Sequence, residues 1–140
     1  MTTNLPSPGG PRVLRLLVVD DSTVMRRMVV KSLEMGGLPV DQVFEAESGL
    51  QALQILNEHW VDLVLCDINM PNMNGVELVE RMANDALTAK IPVVMVTTER
   101  SEVRIEQLKQ LGVTAYLNKP FRPEALAQTV RQLLGLEGGT

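Results

Sequence analysis

Five short apolar runs, each followed by an amphipathic stretch, narrow the possible folds of this chain more than any other feature. "VLRLLVV" ends at Val19 and reads as a strand buried on both faces. A helix is predicted from about Ser22, with Met25, Met28, Val29, Ser32 and Leu33 along one face, and Gly36-Gly37 stops it. "VDQVFEA" is a second strand, and Ser48 caps a helix that buries Ala52, Leu53 and Leu56. "VDLVLC" is a third strand, followed by a helix from Gly75 to about Asp85 with Leu78, Val79, Met82 and Ala83 on one face. "IPVVMVT" is the plainest buried strand, and a weaker amphipathic helix runs from Ser101 to Leu111. "VTAYLN" and a helix from Pro123 to Leu134, burying Leu126, Val130, Leu133 and Leu134, complete the series.

Strand–helix alternation predicts an α/β fold with a doubly wound parallel sheet. Parallel neighbours need crossover connections of one hand, and the crossovers cover both faces of the sheet. Sheets of this kind bind ligands beyond the carboxyl ends of their strands, where the strand order reverses. The residues just after each strand are therefore the ones to inspect.

Asp20 and Asp21 follow the first strand, and Asp67 follows the third. Thr97 and Thr98 end the fourth, and Lys119-Pro120 follows the fifth. Three anions in close quarters repel one another unless a cation joins them. Oxygen donors on short side chains suit Mg²⁺, whereas the chain has no His or Cys cluster that would favour zinc. A divalent cation with an ammonium and a hydroxyl can neutralise a phosphoryl group, and one carboxylate can act as its nucleophile. The rim therefore reads as a phosphoryl-handling site with Asp67 as the acceptor.

Length and charge set the frame. The 140 residues suffice for one domain with a single core, and a net charge of −4 argues against sequence-blind attraction to nucleic acid or to an anionic membrane. No apolar run is long enough to span a bilayer, and "MTTNLPSPGGPR" lacks the apolar segment of a signal peptide. The single cysteine, Cys66, forbids an internal disulfide and fits a reducing cytoplasm. Residues 1–12 are expected to be a disordered lead-in, 13–136 the domain and 137–140 a flexible tail.

The motifs "VVDDS" (18–22), "LCDINMPNMNG" (65–75), "VVMVTTE" (93–99) and "YLNKPF" (116–121) occur in order over nearly the whole ordered chain. With these, the sequence resembles the response-regulator receiver domain of two-component signalling, and within that family the stand-alone chemotaxis regulators. The resemblance implies a five-stranded (βα)5 flavodoxin-like fold with strand order 2-1-3-4-5. It implies Asp67 as phosphoacceptor, with Mg²⁺ held by Asp20, Asp21, Asp67 and the backbone carbonyl of Asn69. Lys119 would contact the phosphoryl group, its bond to Pro120 being cis. Thr97 would be the switch hydroxyl and Tyr116 the coupled aromatic, while Asn69 and Glu99 would tune dephosphorylation. The implied partners are a histidine kinase as phosphodonor, an output protein such as the flagellar motor switch, and a phosphatase. The protein would be a cytoplasmic monomer that catalyses only its own phosphorylation and dephosphorylation. One departure is Ile68, where the chemotaxis subgroup carries a tryptophan.

Plainer roles stand beside these. Asp20, Asp21 or Ser22 could cap a helix, as could Thr97 or Thr98, and Tyr116 could be edge packing with a wet hydroxyl. Met70 and Met73 read as packing or adaptable contact surface, and Cys66 as an inert buried thiol. His59 suits a helix-end dipole contact. Arg26, Arg27 and Lys31 read as a solvated helix face, and so, singly, do Arg100, Arg104, Lys109 and Arg122. Rival functions are a phosphate sink or relay intermediate, and a phosphatase of the haloacid dehalogenase type. The latter places a second aspartate two residues after its nucleophile, where this chain has Asn69. A Rossmann-like nucleotide binder would need a glycine-rich turn after Val19, which is absent.

Overall fold

The structure is a computed structural model and describes residues 13–136. The expectations for residues 1–12 and 137–140 lie outside the described residues. Among the described residues ten elements alternate strictly: β1 (Leu14–Val19), α1 (Thr23–Met35), β2 (Val40–Ala46), α2 (Gly49–Glu58), β3 (Leu63–Cys66), α3 (Gly75–Ala83), β4 (Val93–Thr97), α4 (Glu102–Gln110), β5 (Ala115–Asn118) and α5 (Pro123–Leu134).

All pairings are parallel, and the strands lie in the order β2-β1-β3-β4-β5. The chain starts inside the sheet, moves out to one edge, and returns past β1 to build the other side. The strand order therefore reverses between β1 and β3. Strands β1, β3 and β4 are covered on both faces, which is why their sequences are apolar almost without interruption.

Two hydrophobic cores result. On one face Leu14, Leu16 and Val18 of β1 join Val29 and Leu33 of α1 and Leu126, Ala127 and Val130 of α5. On the other, Leu17, Val19, Val64, Cys66 and Met95 pack with Ala52 of α2, Leu78, Val79 and Met82 of α3, and Leu108 of α4. Leu108 is the only fully buried residue of α4, as its weak pattern predicted.

The buried stripe of α1 is narrower than its spacing suggested: Met28 is 51% exposed. The stripe Val29, Ser32, Leu33 and Gly36 meets α5 closely enough that a Cβ on Gly36 would overlap that of Ala127, leaving Met28 outside the contact. The Ser32 hydroxyl donates to the Met28 carbonyl at 2.8 Å and so enters the core without an unpaired donor. Ala83, placed on the inner face of its helix by spacing, is exposed at the end of α3.

The helix starts leave the strand-end acids free of capping. Ser22 caps α1, its hydroxyl accepting from the Met25 N–H at 3.2 Å. Asn74 and Glu77 form a reciprocal capping box on α3, and Ser101 caps α4. Neither aspartate of the first loop and neither Thr97 nor Thr98 serves as a cap.

Gly75 opens α3 directly beneath the end of β3. Its N–H donates to the Ile68 carbonyl at 2.7 Å, and a Cβ there would overlap the carbonyl oxygen of Asp67 and press on the Ile68 Cα. Gly75→Ala is expected to lower stability by about 1–3 kcal/mol, the usual cost of forcing backbone apart in a packed region. A urea midpoint equal to that of the parent would contradict this close approach.

Candidate functional site

The strand-end groups are held by sheet hydrogen bonds that continue one step past each strand. The Asp20 N–H donates to the Ala46 carbonyl at 3.0 Å, extending the β1–β2 ladder. The Asp67 N–H donates to the Val19 carbonyl at 3.0 Å, extending β3–β1. The Lys119 N–H donates to the Thr97 carbonyl at 3.0 Å, extending β5–β4. Three separate segments are thus fixed relative to one another by backbone alone, before any side chain acts.

One carboxylate oxygen each from Asp20, Asp21 and Asp67 lies within 4.8 Å of the others. Asp20 and Asp67 are buried and Asp21 is exposed. Lys119 Nζ sits between the two buried acids, 2.8 Å from Asp20 Oδ2 and 3.2 Å from Asp67 Oδ2. Its side chain is only 12% exposed. Burial disfavours its charge, but the hydrogen bond to Asp20 and the charges of Asp67 and Asp20 outweigh that, so its pKa is raised above the ordinary lysine value. The other carboxylate oxygens accept backbone donors: Ser22 N–H to Asp20 Oδ1 at 2.9 Å, and Asn69 N–H to Asp67 Oδ1 at 3.3 Å. The Lys119–Pro120 bond is cis, as the resemblance implied.

The donors that meet in this cluster are entirely carboxylate oxygens, one each from Asp20, Asp21 and Asp67. Hard oxygen ligands of this kind fit a divalent cation such as Mg²⁺ and do not fit a thiolate- or imidazole-seeking metal. Cys66 is adjacent in sequence, but burial first, and then the charges of Asp67 and Asp20, push its thiol pKa far upward. It remains a neutral, inert group.

Thr97 is buried at the end of β4, and its hydroxyl accepts the Glu99 N–H at 3.0 Å. Among the described residues no hydrogen bond joins that hydroxyl to Asp67 or Lys119. Tyr116 is half-buried against the α2–α4 core, and its hydroxyl donates to the Val113 carbonyl at 3.0 Å. Its pKa is raised, by burial and then by Glu106. Met70 and Met73 are buried packing residues, with Met73 lying against Gly49 of α2.

Two arginines assigned by sequence to solvated faces are engaged at the site. Arg26 is 11% exposed. It donates to the Asp20 carbonyl at 2.6 Å, to Glu45 Oε1 at 3.0 Å and to Thr23 Oγ1 at 3.2 Å, tying the acidic loop to the end of β2. Arg104 Nη1 lies 3.0 Å from Asn69 Oδ1 and 3.5 Å from Glu99 Oε1. Glu99 is held below its ordinary pKa chiefly by the Ser101 N–H, against the effect of burial, with the Asn69 amide and the Arg104 charge adding to it. For Arg26 the available signal was its position six residues after Asp20, with a glutamate at the end of the adjacent strand. Neither fact specifies a contact until the strand order is known. His59 stands at the C-terminal end of α2, as expected, and in addition stacks on Phe44 with ring centroids 4.5 Å apart.

Comparison with known proteins gives a consistent result. The sequence model of the response regulator receiver domain matches residues 16–131. The chain is 38% identical over 127 residues to a chemotaxis protein CheY homolog of Campylobacter jejuni, covering 90% of this chain and 96% of that protein. It is 37% identical over 123 residues to the chemotaxis protein CheY1 of Helicobacter pylori, covering 87% and 98% respectively. The solved structure of the chemotaxis protein CheY4 of Vibrio cholerae superposes with a TM-score of 0.79 at 34% identity, covering 88% of this chain and all of that one. No helix among the described residues is long and apolar enough to cross a membrane.

Lys119 provides a test of the cluster that needs no ligand. Lys119→Met removes the shared counter-ion and is expected to cost about 1–3 kcal/mol at neutral pH. That is less than the ~3–5 kcal/mol of a fully enclosed pair, because one side is open to water. The folded-state pKa of Lys119 is raised, so its contribution is complete below the ordinary value of 10.5 and is lost as pH rises through the higher folded value. Denaturant midpoints should therefore show a parent–variant gap that is constant from neutral pH to about 10 and closes above it. A gap that widens with alkaline pH would contradict the arrangement.

Proposed function

Since the chain belongs to the response regulator receiver domain family, we propose that it is a phosphorylation-operated switch of two-component signalling, acting in chemotaxis. The observation that carries this reading is the Lys119 ammonium bonded to both Asp20 and Asp67, with Asp21 alongside. The cluster has an anionic nucleophile, a fixed cation and a set of metal-fitting oxygens in one place.

In this reading a histidine kinase presents its phosphohistidine, and a carboxylate oxygen of Asp67 attacks the phosphorus. The new O–P bond forms as the P–N bond to the imidazole breaks, and the histidine leaves. Asp20, Asp21, Asp67 and the Asn69 carbonyl would hold Mg²⁺, which neutralises charge on the transferring group. Lys119 balances the phosphoryl oxygens on the other side.

The phosphoryl group offers Thr97 and Lys119 new acceptors. Thr97 turns toward it, and the space it vacates becomes available to Tyr116, which then gives up its bond to Val113. The surface built from α4, β5 and α5 is thereby biased between two states. A partner that binds those states with different affinity reads the signal. The flagellar motor switch is the partner suggested by the chemotaxis relatives, nearly all of whose length the chain covers. Asn69 and Glu99 tune loss of the phosphoryl group, with or without a partner phosphatase. The protein works as a cytoplasmic monomer whose only catalysis is on itself.

Incubation with a small phosphodonor and Mg²⁺, followed by intact mass measurement, should show one phosphoryl adduct on the parent and none on Asp67→Ala. Adducts on the variant, or two on the parent, would overturn the assignment. Mg²⁺ should raise the melting temperature of the parent by mass action, and by less in Asp21→Asn. Equal increments would remove Asp21 from the metal set. The phosphorylated form should bind the motor switch protein more tightly than the unmodified form, and equal binding would reject the switch.

A further inference from the structure

Arg104 spans the approach to the acidic cluster. It lies in the first turn of α4, yet its guanidinium reaches Asn69 in the β3–α3 loop and Glu99 in the β4–α4 loop. Arg104, Asn69 and Asp21 line one open depression of about 320 Å³, together with Met70, Pro71 and Asn74. Glu99 is fixed at its far side as well, since its Oε2 accepts the Ser101 N–H, the cap residue of α4, at 2.9 Å. The Glu99 side chain is 17% exposed and that of Arg104 is 41% exposed, so the bridge lies on the solvent side of the site.

We infer that Arg104 is a positioning residue, a latch that ties Asn69 to Glu99 across the mouth of the site and prolongs the life of the phosphoryl group on Asp67. This inference rests on the receiver reading above. Hydrolysis requires a water oxygen to bond to phosphorus while the P–O bond to Asp67 breaks. Asp67 leaves as a carboxylate, and the protons of the water remain on the inorganic phosphate and solvent. That water must come from the open side, which the latch narrows. Arg104 Nη1 makes both contacts, so one nitrogen with two N–H bonds serves the Asn69 and Glu99 oxygens at once. The latch also connects the site to α4. A partner that displaces the first turn of α4 would open it, and by reciprocity an open latch would alter binding on that helix.

The test follows loss of the phosphoryl adduct by intact mass after the parent, labelled with a small phosphodonor and Mg²⁺, is separated from the donor. Arg104→Ala should lose it about three- to tenfold faster, the effect of one solvent-facing charge-assisted hydrogen bond. In an Asn69→Ala, Glu99→Ala background, Arg104→Ala should have no further effect, since the groups it ties are gone. An unchanged lifetime in Arg104→Ala, or equal acceleration in the doubly substituted background, would overturn the latch. A fall in melting temperature matching the acceleration in all backgrounds would reduce Arg104 to a structural role and overturn it too. A parent that takes no adduct on Asp67 overturns the receiver reading and this inference with it. A labelled parent with insensitive lifetimes overturns the latch alone.

Discussion

A single lysine carried from the far end of the chain makes the acidic rim of this sheet tenable. Asp20 and Asp67 belong to neighbouring strands whose pairing brings their carboxylates together, and each is buried. Without a cation between them, burial and mutual repulsion would oppose the β1–β3 pairing that forms the centre of the fold. Lys119 supplies that cation from beyond β5, with its backbone set by Thr97 at the end of β4. The charges of the site and the register of four strands therefore support one another.

The sheet contributes rigidity, and the loops after it contribute chemistry. Each of the three ladders ends in a hydrogen bond whose donor is a site residue, so these residues inherit the order of the strands. Beyond that first residue the chain is free to turn. At Asn72 it takes a positive φ of 68°, a conformation that asparagine tolerates better than most residues. Gly75 then lets α3 begin hard against the backbone of Asp67 and Ile68. Two side chains long enough to cross between loops, Arg26 and Arg104, brace this region from opposite sides. One holds the Asp20 carbonyl, and the other holds Asn69 and Glu99.

The two braces show where sequence reading stops. The strands were legible because burial on both faces leaves no room for polar residues, as in "VLRLLVV" and "IPVVMVT". The rim acids and lysine were legible because a charge at the end of such a run has few purposes. Arg26 and Arg104 carry no comparable signal. Each sits in an ordinary amphipathic helix, where a basic residue is expected to face water, and one partner of each, Glu45 for Arg26 and Asn69 for Arg104, is distant in sequence. Glu45, which pairs with Arg26, lay in a strand end that gave no reason to be singled out. Tyr116 is legible only as far as its position, since its hydroxyl bonds to Val113 and the sequence fixes no rotamer.

Taken alone, the residues determined the alternation of elements, the parallel arrangement and the short list of reactive groups at the strand ends. These follow from periodicity and from the solvation cost of charge, both of which act locally. The meeting of Lys119 with Asp20 and Asp67, the engagement of the two arginines and the narrow burial of α1 were decided by tertiary structure. Each depends on the order in which strands lie side by side and on the reach of a side chain across that order. Neither can be read along the chain, because the partners are separated by as many as 99 residues.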